Sequence, residues 1–346
     1  MEKSVLIIYT GGTIGMVNDP ETGALCPFNF EQIAKAVPEI KEFGFTIDSY
    51  TLPDIIDSSD LTPALWEHLC RIITENYEKY CGFVILHGTD TMAYSASALS
   101  FMLDNLSKPV IFTGSQLPIG TIRTDGRENL IAALEIAAAY MEDKAIVPEV
   151  CILFGDKLFR GNRTTKLNAE SFDAFQSFNY PPLAEIGIHI HYNYGAIDYT
   201  PRSGELSVFT PMNTGIAILQ LFPGLRPEVI EAIIHTAGIK GIILETYGSG
   251  NAPTDKVFLS KIKEAANRGI VIYNVTQCLG GTVEMGRYET SRKLLKYGVS
   301  SGYDITMEAA ICKMMHLLAK YEDTNEIKKY LNSSIKGEIS VNRIGF

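Results

Sequence analysis

The sequence predicts an α/β fold of two domains: a larger N-terminal one on a mostly parallel sheet with flanking helices, and a smaller C-terminal parallel-sheet α/β domain. Three observations carry this. Short aliphatic runs such as Val5-Leu6-Ile7-Ile8 and Phe83-Val84-Ile85-Leu86 are apolar at every position, the pattern of strands buried on both faces. These runs alternate with stretches of helical character, which favours right-handed crossovers and parallel pairing. At 346 residues the chain exceeds the usual size of one core, and its rhythm dissolves between residues 172 and 212 around Pro181-Pro182, Pro201, Gly204 and Pro211. The expected division is 1–190 as the N-terminal α/β domain, 191–212 as a connection and 213–346 as the C-terminal α/β domain.

The first strand, residues 5–8, runs directly into Tyr9-Thr10-Gly11-Gly12-Thr13-Ile14-Gly15. Ligands of open α/β sheets bind beyond the carboxyl ends of the strands, so Thr13 delivers a hydroxyl to such an end. Gly11 and Gly12 let backbone approach a ligand and free φ for a sharp turn. A dinucleotide fingerprint fits poorly, because the Gly-x-Gly-x-x-Gly spacing is missing and no helical pattern follows at once. A tight turn whose Thr caps backbone groups fits these residues as well as a functional turn does.

Residues 16–29, holding Asn18-Asp19-Pro20 and Gly23, have no periodicity and read as a loop where a lid would sit. A short amphipathic candidate follows at 30–37 and a strand at 46–52. The cluster Asp54-Ile55-Ile56-Asp57-Ser58-Ser59-Asp60-Leu61-Thr62-Pro63 then leads into a helix at 64–80, with Thr62 as N-cap and Pro63 at the first helical position. Asp57, Ser58 and Ser59 lie upstream of that cap, as a plain solvated turn or as groups to hold a charged amino acid.

The strand at 83–86 ends in His87-Gly88-Thr89-Asp90-Thr91, and a helix over 92–106 starts at once. Thr89 and Asp90 suit helix capping, yet this is the second strand to end in Gly-Thr, and two such ends can converge on one pocket. A strand at 110–112 ends in Thr113-Gly114-Ser115-Gln116, and a helix at 127–140 follows. The strand at 150–154 leads through Gly155-Asp156 to the polar loop Arg160-Gly161-Asn162-Arg163-Thr164-Thr165-Lys166. Lys166 alone reads as a surface cation. Short strands are expected at 186–191 and 206–209. The second half brings strands at 216–221, 241–244 and 270–275, the last ending in Thr276-Gln277-Cys278. Its helices fall at 227–237, 256–268, 289–297, 307–320 and 325–331.

Composition narrows the function. The formal net charge is -10 with no basic block, which argues against nucleic acid. No apolar stretch reaches the length of a membrane span, and the start of the chain lacks the pattern of an export signal. Six scattered cysteines without a Cys-x-x-Cys pair point to a reducing cytoplasm, not to disulfides or zinc. His87 is the sole histidine beside a candidate site, and no cluster shows metal-ligand spacing, so no catalytic metal is expected.

Taken in order, Tyr-Thr-Gly-Gly-Thr-Ile-Gly, Asp-Ser-Ser-Asp, His-Gly-Thr-Asp-Thr-Met, Gly-Asn-Arg-Thr-Thr-Lys and Tyr-Gly-Ser-Gly-Asn-Ala-Pro resemble the bacterial L-asparaginases, the cytoplasmic type I branch most closely. The resemblance implies hydrolysis of L-asparagine to L-aspartate and ammonia without a cofactor. Thr13 would be the nucleophile that forms an acyl-enzyme ester. Thr89 and Lys166 match the second hydroxyl and its lysine, Asp90 the holder of the α-amino group, and Asp57, Ser58 and Ser59 the segment that binds the α-amino and α-carboxyl groups. The family also implies a homodimer or homotetramer in which a neighbour's small domain closes the site, with Tyr288 and Asn251 as the contributing residues.

Two departures stand out. No tyrosine occurs between Tyr9 and Tyr50, although some members carry one in the lid. Some type I members bind asparagine at a regulatory site, for which Thr165 and Cys278 are the candidates here. Glu245, however, stands where related enzymes have an arginine, and a glutamate would repel a substrate carboxylate that an arginine clamps. Weak or absent allostery of that form is expected. The alternatives to an amidohydrolase are a non-catalytic amino-acid sensor and the amidase component of a tRNA-dependent amidotransferase. Such components usually carry an extra N-terminal module, whereas here the first strand begins at residue 5.

Overall fold

A computed structural model describes residues 3–18, 25–27, 37–200, 204–286 and 289–341. The chain forms two compact units, Met1–Thr210 and Pro211–Phe346. In the first, an eight-stranded sheet runs in the order Ile190–Tyr192, Ala184–Ile186, Lys157–Arg160, Val150–Phe154, Val110–Thr113, Gly82–Leu86, Ser4–Gly11, Thr46–Ile56. The pairs from Val150–Phe154 to Thr46–Ile56 are parallel, and the three strands at the other edge are antiparallel. The first strand lies between the second parallel strand and the third, pairing Tyr9 with Thr51 on one side and with Leu86 on the other. Strand order reverses at this point, and in a doubly wound sheet the crevice beyond it is where ligands bind.

The all-apolar runs are the centre of this sheet. Val5, Ile7 and Ile8 are fully buried, as are residues 83–86. The helix Met92–Met102 is buried at every position except Tyr94, because it is apolar or small all round and not merely on one face. In the second unit a four-stranded parallel sheet has the order Ile216–Gln220, Gly241–Thr246, Val271–Thr276, Ser300–Ser301, with helices including Lys256–Asn267 and Met307–Lys320. Among the described residues, no helix is long and apolar enough to cross a membrane.

Several elements differ from the sequence-based expectation. The stretch 16–29, read as loop, contains two short paired strands, Met16–Asn18 and Leu25–Pro27. The helix expected to reach residue 80 is Pro63–Glu75, since the Asn76 side-chain amide donates to the Ile72 carbonyl and closes it. The helix begun at Met92 stops at Met102, before Asn105 turns to φ 59°. The strand expected at 186–191 is a hairpin, Ala184–Ile186 paired with Ile190–Tyr192. Lys157–Arg160 is a strand, and Thr165–Lys166 pairs with Phe175–Gln176. Elements of two to four residues carry too little periodicity to be read. The amphipathic candidate at 30–37 lies, but for Val37, outside the described residues. Ser207–Val208 pairs with Leu103–Asp104, which ties this part of the chain to the first unit.

Two buried ion pairs cross-link separate segments of the chain. Arg160 grips Glu149 with two hydrogen bonds, Nε to Oε2 at 2.5 Å and Nη2 to Oε1 at 3.1 Å. Glu149 also accepts from the Asp198 N–H at 2.6 Å, and the guanidinium stacks 4.4 Å from the Tyr180 ring centroid. Burial disfavours the cation, but the Glu149 contacts outweigh it and hold Arg160 above its ordinary range. In the second unit Lys313 and Glu338, both with fully buried side chains, meet at 2.6 Å. Lys313 donates to the Leu331 and Ser333 carbonyls, and Glu338 accepts from the Ile335 and Lys336 amides.

A directed hydrogen-bond chain lies behind the strand end at residue 86. The Gly88 carbonyl, 2.7 Å from His87 Nδ1, can only accept, so Nδ1 carries the proton and Nε2 accepts from Ser95 Oγ at 2.9 Å. The Trp66 indole in turn donates to Ser95 Oγ at 3.0 Å. Burial lowers the His87 pKa from 6.5 to about 4. The unfolded chain therefore binds more protons between those values, and stability is lost as pH falls through that window, by on the order of 3 kcal/mol. Urea midpoints at pH 7 and pH 4.5 are expected to differ less for His87→Gln than for the parent protein. Glu149→Ala, which strands a buried cation, is expected to cost about 3–5 kcal/mol by the same urea measurement.

Candidate active site

Thr13 and Thr89 follow the two strands that flank the reversal of order, and glycine brings their turns together. Gly11 and Gly12 take φ of 129° and 86°, which L side chains rarely adopt, and so swing the chain off the sheet into the 3-10 turn Thr13–Gly15. A Cβ on Gly12 would lie 2.4 Å from Gly88 N, and one on Gly88 would lie 2.5 Å from Ser58 Oγ. The backbones of the turns that carry Thr13 and Thr89 are thus in contact, and the Ser58 side chain packs against Gly88. Tyr9 folds back beneath the first of them, its hydroxyl donating to the Gly15 carbonyl at 2.9 Å, and burial pushes its pKa up to about 12. The Thr13 hydroxyl makes no hydrogen bond to any described residue.

Thr89 and Asp90 do not cap the helix behind them. Thr91 holds the N-cap position, and it too makes no side-chain cap; its hydroxyl donates to the Ser58 carbonyl at 2.8 Å. Lys166 engages the pair before it instead. Its ammonium donates to Thr89 Oγ1 at 2.8 Å and to Asp90 Oδ1 at 2.6 Å. Seventy-seven residues separate Lys166 from Thr89, and the short pairing of Thr165–Lys166 with Phe175–Gln176 sets its position. The Lys166 side chain is 17% exposed and that of Asp90 65%, so the pair is open towards solvent on the carboxylate side.

Asp57 acts first as a local cap. Its Oδ1 accepts from the Ser59 N–H and hydroxyl, both at 2.9 Å, and these bonds hold its pKa below the ordinary carboxylate value. Ser58 is buried, while Asp57 and Ser59 are exposed. This segment is joined to the Thr89 turn by the Thr91 bond and by the tight packing at Gly88.

Three residues that sequence reasoning passed over brace the neighbouring strand end. The Asp125 carboxylate accepts from the backbone N–H groups of Gln116 and Leu117 at 2.9–3.2 Å. Asn129 donates to the Gly114 carbonyl at 2.9 Å and accepts from the Gly155 N–H at 3.0 Å, spanning the ends of two strands. Gln116 reaches Thr89, with its Oε1 at 3.4 Å from Oγ1. Asn129, 1% exposed among Leu130, Ala132 and Ala133, could have been noticed as a polar residue on an apolar helix face. Nothing in the order of residues signals the reach of Gln116.

In the second unit, Asn251 closes a turn with Tyr247 through paired backbone hydrogen bonds of 2.8 and 2.9 Å. Cys278 is exposed, with its N–H donating to Thr276 Oγ1 at 3.0 Å. Burial pushes the Glu245 carboxyl above its usual pKa. In the first unit Thr165 pairs with Gln176, and Tyr288 lies outside the described residues. Among the described residues, no group of three or more His, Cys, Asp or Glu could hold a metal ion.

Comparison with known proteins identifies the family. The asparaginase N-terminal family pattern matches residues 4–198, and the glutaminase/asparaginase C-terminal domain pattern matches residues 215–331. L-asparaginase 1 of Escherichia coli is 44% identical over 345 residues, 98% of each chain. A glutamyl-tRNA(Gln) amidotransferase component of Pyrococcus furiosus is 36% identical over 97% of this chain and 77% of its own. The crystal structure of L-asparaginase I from Vibrio cholerae superposes with a TM-score of 0.89 at 40% identity, covering 99% of this chain and 100% of that one. With the first pattern spanning more than half of the sequence and such identity along its whole length, this protein belongs to the asparaginase family.

Proposed function

We propose that this protein hydrolyses L-asparagine to L-aspartate and ammonia through an ester on Thr13. The observation that carries the reading is the Lys166 ammonium shared between Thr89 and Asp90, on the turn packed against that of Thr13, whose hydroxyl has no hydrogen bond to a described residue. In the first step Thr13 Oγ attacks the side-chain carbonyl carbon, the C–N bond breaks, and ammonia leaves with the proton that Thr13 gives up. In the second, water attacks the ester carbonyl, the C–O bond to Thr13 breaks, aspartate departs and Thr13 regains a proton. In this reading Thr89 and Lys166, joined by a 2.8 Å hydrogen bond, relay the proton of the reacting oxygen.

Substrate binding falls to the carboxylates and hydroxyls of the same cluster. Asp90 Oδ1 faces Lys166, which leaves Oδ2 for the α-ammonium of the amino acid. Asp57, Ser58 and Ser59 take the rest of the amino-acid head. Glutamine is one methylene longer, a difference worth only about 1–3 kcal/mol in discrimination. The protein works in the cytoplasm as a homodimer or homotetramer, and Asn251 and Tyr288 of a neighbouring copy help to close the site. Activation by asparagine at a separate regulatory site is weak or absent, because Glu245 would repel a substrate carboxylate.

The amidotransferase relative favours one other reading, in which the chain supplies ammonia to a tRNA-bound substrate. The net charge of -10 opposes a nucleic-acid surface.

Ammonia release from asparagine by the purified protein decides among these readings, and saturable turnover without tRNA is the expected result. Binding of asparagine with no ammonia would identify a sensor instead. Thr13→Ala is expected to lower kcat by about 10⁴-fold or more while the protein still binds asparagine in calorimetry. Lys166→Met is expected to lower kcat by about 10²–10⁴-fold in the same assay.

A further inference from the structure

The side-chain amide of Gln116 has a fixed direction. Its Nε2 donates to the Ala169 and Ser171 carbonyls at 3.1 and 3.0 Å, and because a carbonyl can only accept, the NH₂ must lie on that side. Oε1 therefore faces Thr89, 3.4 Å from its hydroxyl oxygen. The Lys166 ammonium has donors alone, so Thr89 Oγ1 accepts from it and must send its own proton elsewhere. Gln116 Oε1 is the acceptor the structure gives that proton. At 3.4 Å the bond is long, which sets a direction without holding the proton firmly.

The backbone of Gln116 is itself held, by the Asp125 carboxylate on its N–H, while the far end of its side chain grips the connection between Thr165–Lys166 and Phe175–Gln176. That connection is exposed over residues 167–170 and carries Leu167 at 47% and Phe172 at 38% exposure. One amide thus sets the hydroxyl of Thr89 and ties down the loop that leaves Lys166.

We propose that Gln116 is a positioning residue of the reaction: it turns the Thr89 hydroxyl so that its oxygen meets Lys166, and it fastens the 167–172 loop that keeps Lys166 in reach. This rests on the amidohydrolase reading above. Its chemistry is that of orientation, since Gln116 neither gains nor loses a proton.

Gln116→Met keeps the length and removes the amide, and Gln116→Glu keeps an acceptor towards Thr89 and loses both donations to the loop. Steady-state kinetics on asparagine are expected to show kcat reduced about 10- to 100-fold in both, with KM within about twofold of the parent. Melting temperatures within about 2 °C of the parent would place the loss in the site and not in the fold. Limited proteolysis with chymotrypsin is expected to nick both variants after Leu167 or Phe172 at least about fivefold faster than the parent. Unchanged kcat in both variants, a change in KM alone, or unchanged nicking would overturn the proposal. A parent protein that releases no ammonia would defeat the amidohydrolase reading, whereas the proteolysis would still decide the role of Gln116. Should Gln116→Met fail to fold, the nearly isosteric Gln116→Glu carries both measurements.

Discussion

No carbon atom fits between Gly12 and Gly88, and the candidate site depends on that exclusion. A Cβ at Gly12 would meet Gly88 N at 2.4 Å and Gly88 Cα at 2.5 Å, backbone atoms that cannot step aside. Because the two parallel strands before them are paired in register, this contact converts neighbouring strands into neighbouring turns. A larger residue at either place would have to push the turns apart, and with them the two threonines. The topology supplies a crevice at the reversal of strand order; the glycines let the two threonine-bearing turns lie side by side there.

Much of this could be read from residue order, for a physical reason that also marks its limit. Strands buried on both faces must be apolar throughout, so 5–8 and 83–86 announced themselves, and the polar residues after them fell at strand ends. The asparaginase motifs named Thr13, Thr89, Asp90 and Lys166 together. What order cannot carry is reach across space. Thr89 and Asp90 read equally well as helix caps, and only their contact with Lys166 shows that they face away from that task. The antiparallel edge of the sheet was read only as one strand at 186–191, because its strands are three or four residues long. Gln116 and Asp125 went unread because ordinary polar residues near a turn have many uses.

The ion pairs of the protein divide by exposure. Glu149–Arg160 and Lys313–Glu338 are sealed, and further hydrogen bonds serve their remaining polar atoms, as burial demands. Lys166–Asp90 is of the other kind, with its carboxylate largely in water. A half-open pair of this sort is worth about 0–1 kcal/mol, so a ligand ammonium can share the carboxylate at little cost. Sealed pairs fix the frame, and the open one remains available for chemistry.

The ring of Tyr9 beneath Gly15 has a further implication. A Cβ on Gly15 would fall 2.2 Å from the phenol oxygen, so the ring is the floor on which the Thr13 turn rests and its hydroxyl is the latch. Phenylalanine at residue 9 would preserve the floor and undo the latch. Height and tilt of the Thr13 turn are therefore set by separate atoms of one side chain, and evolution or design could adjust the second without disturbing the first.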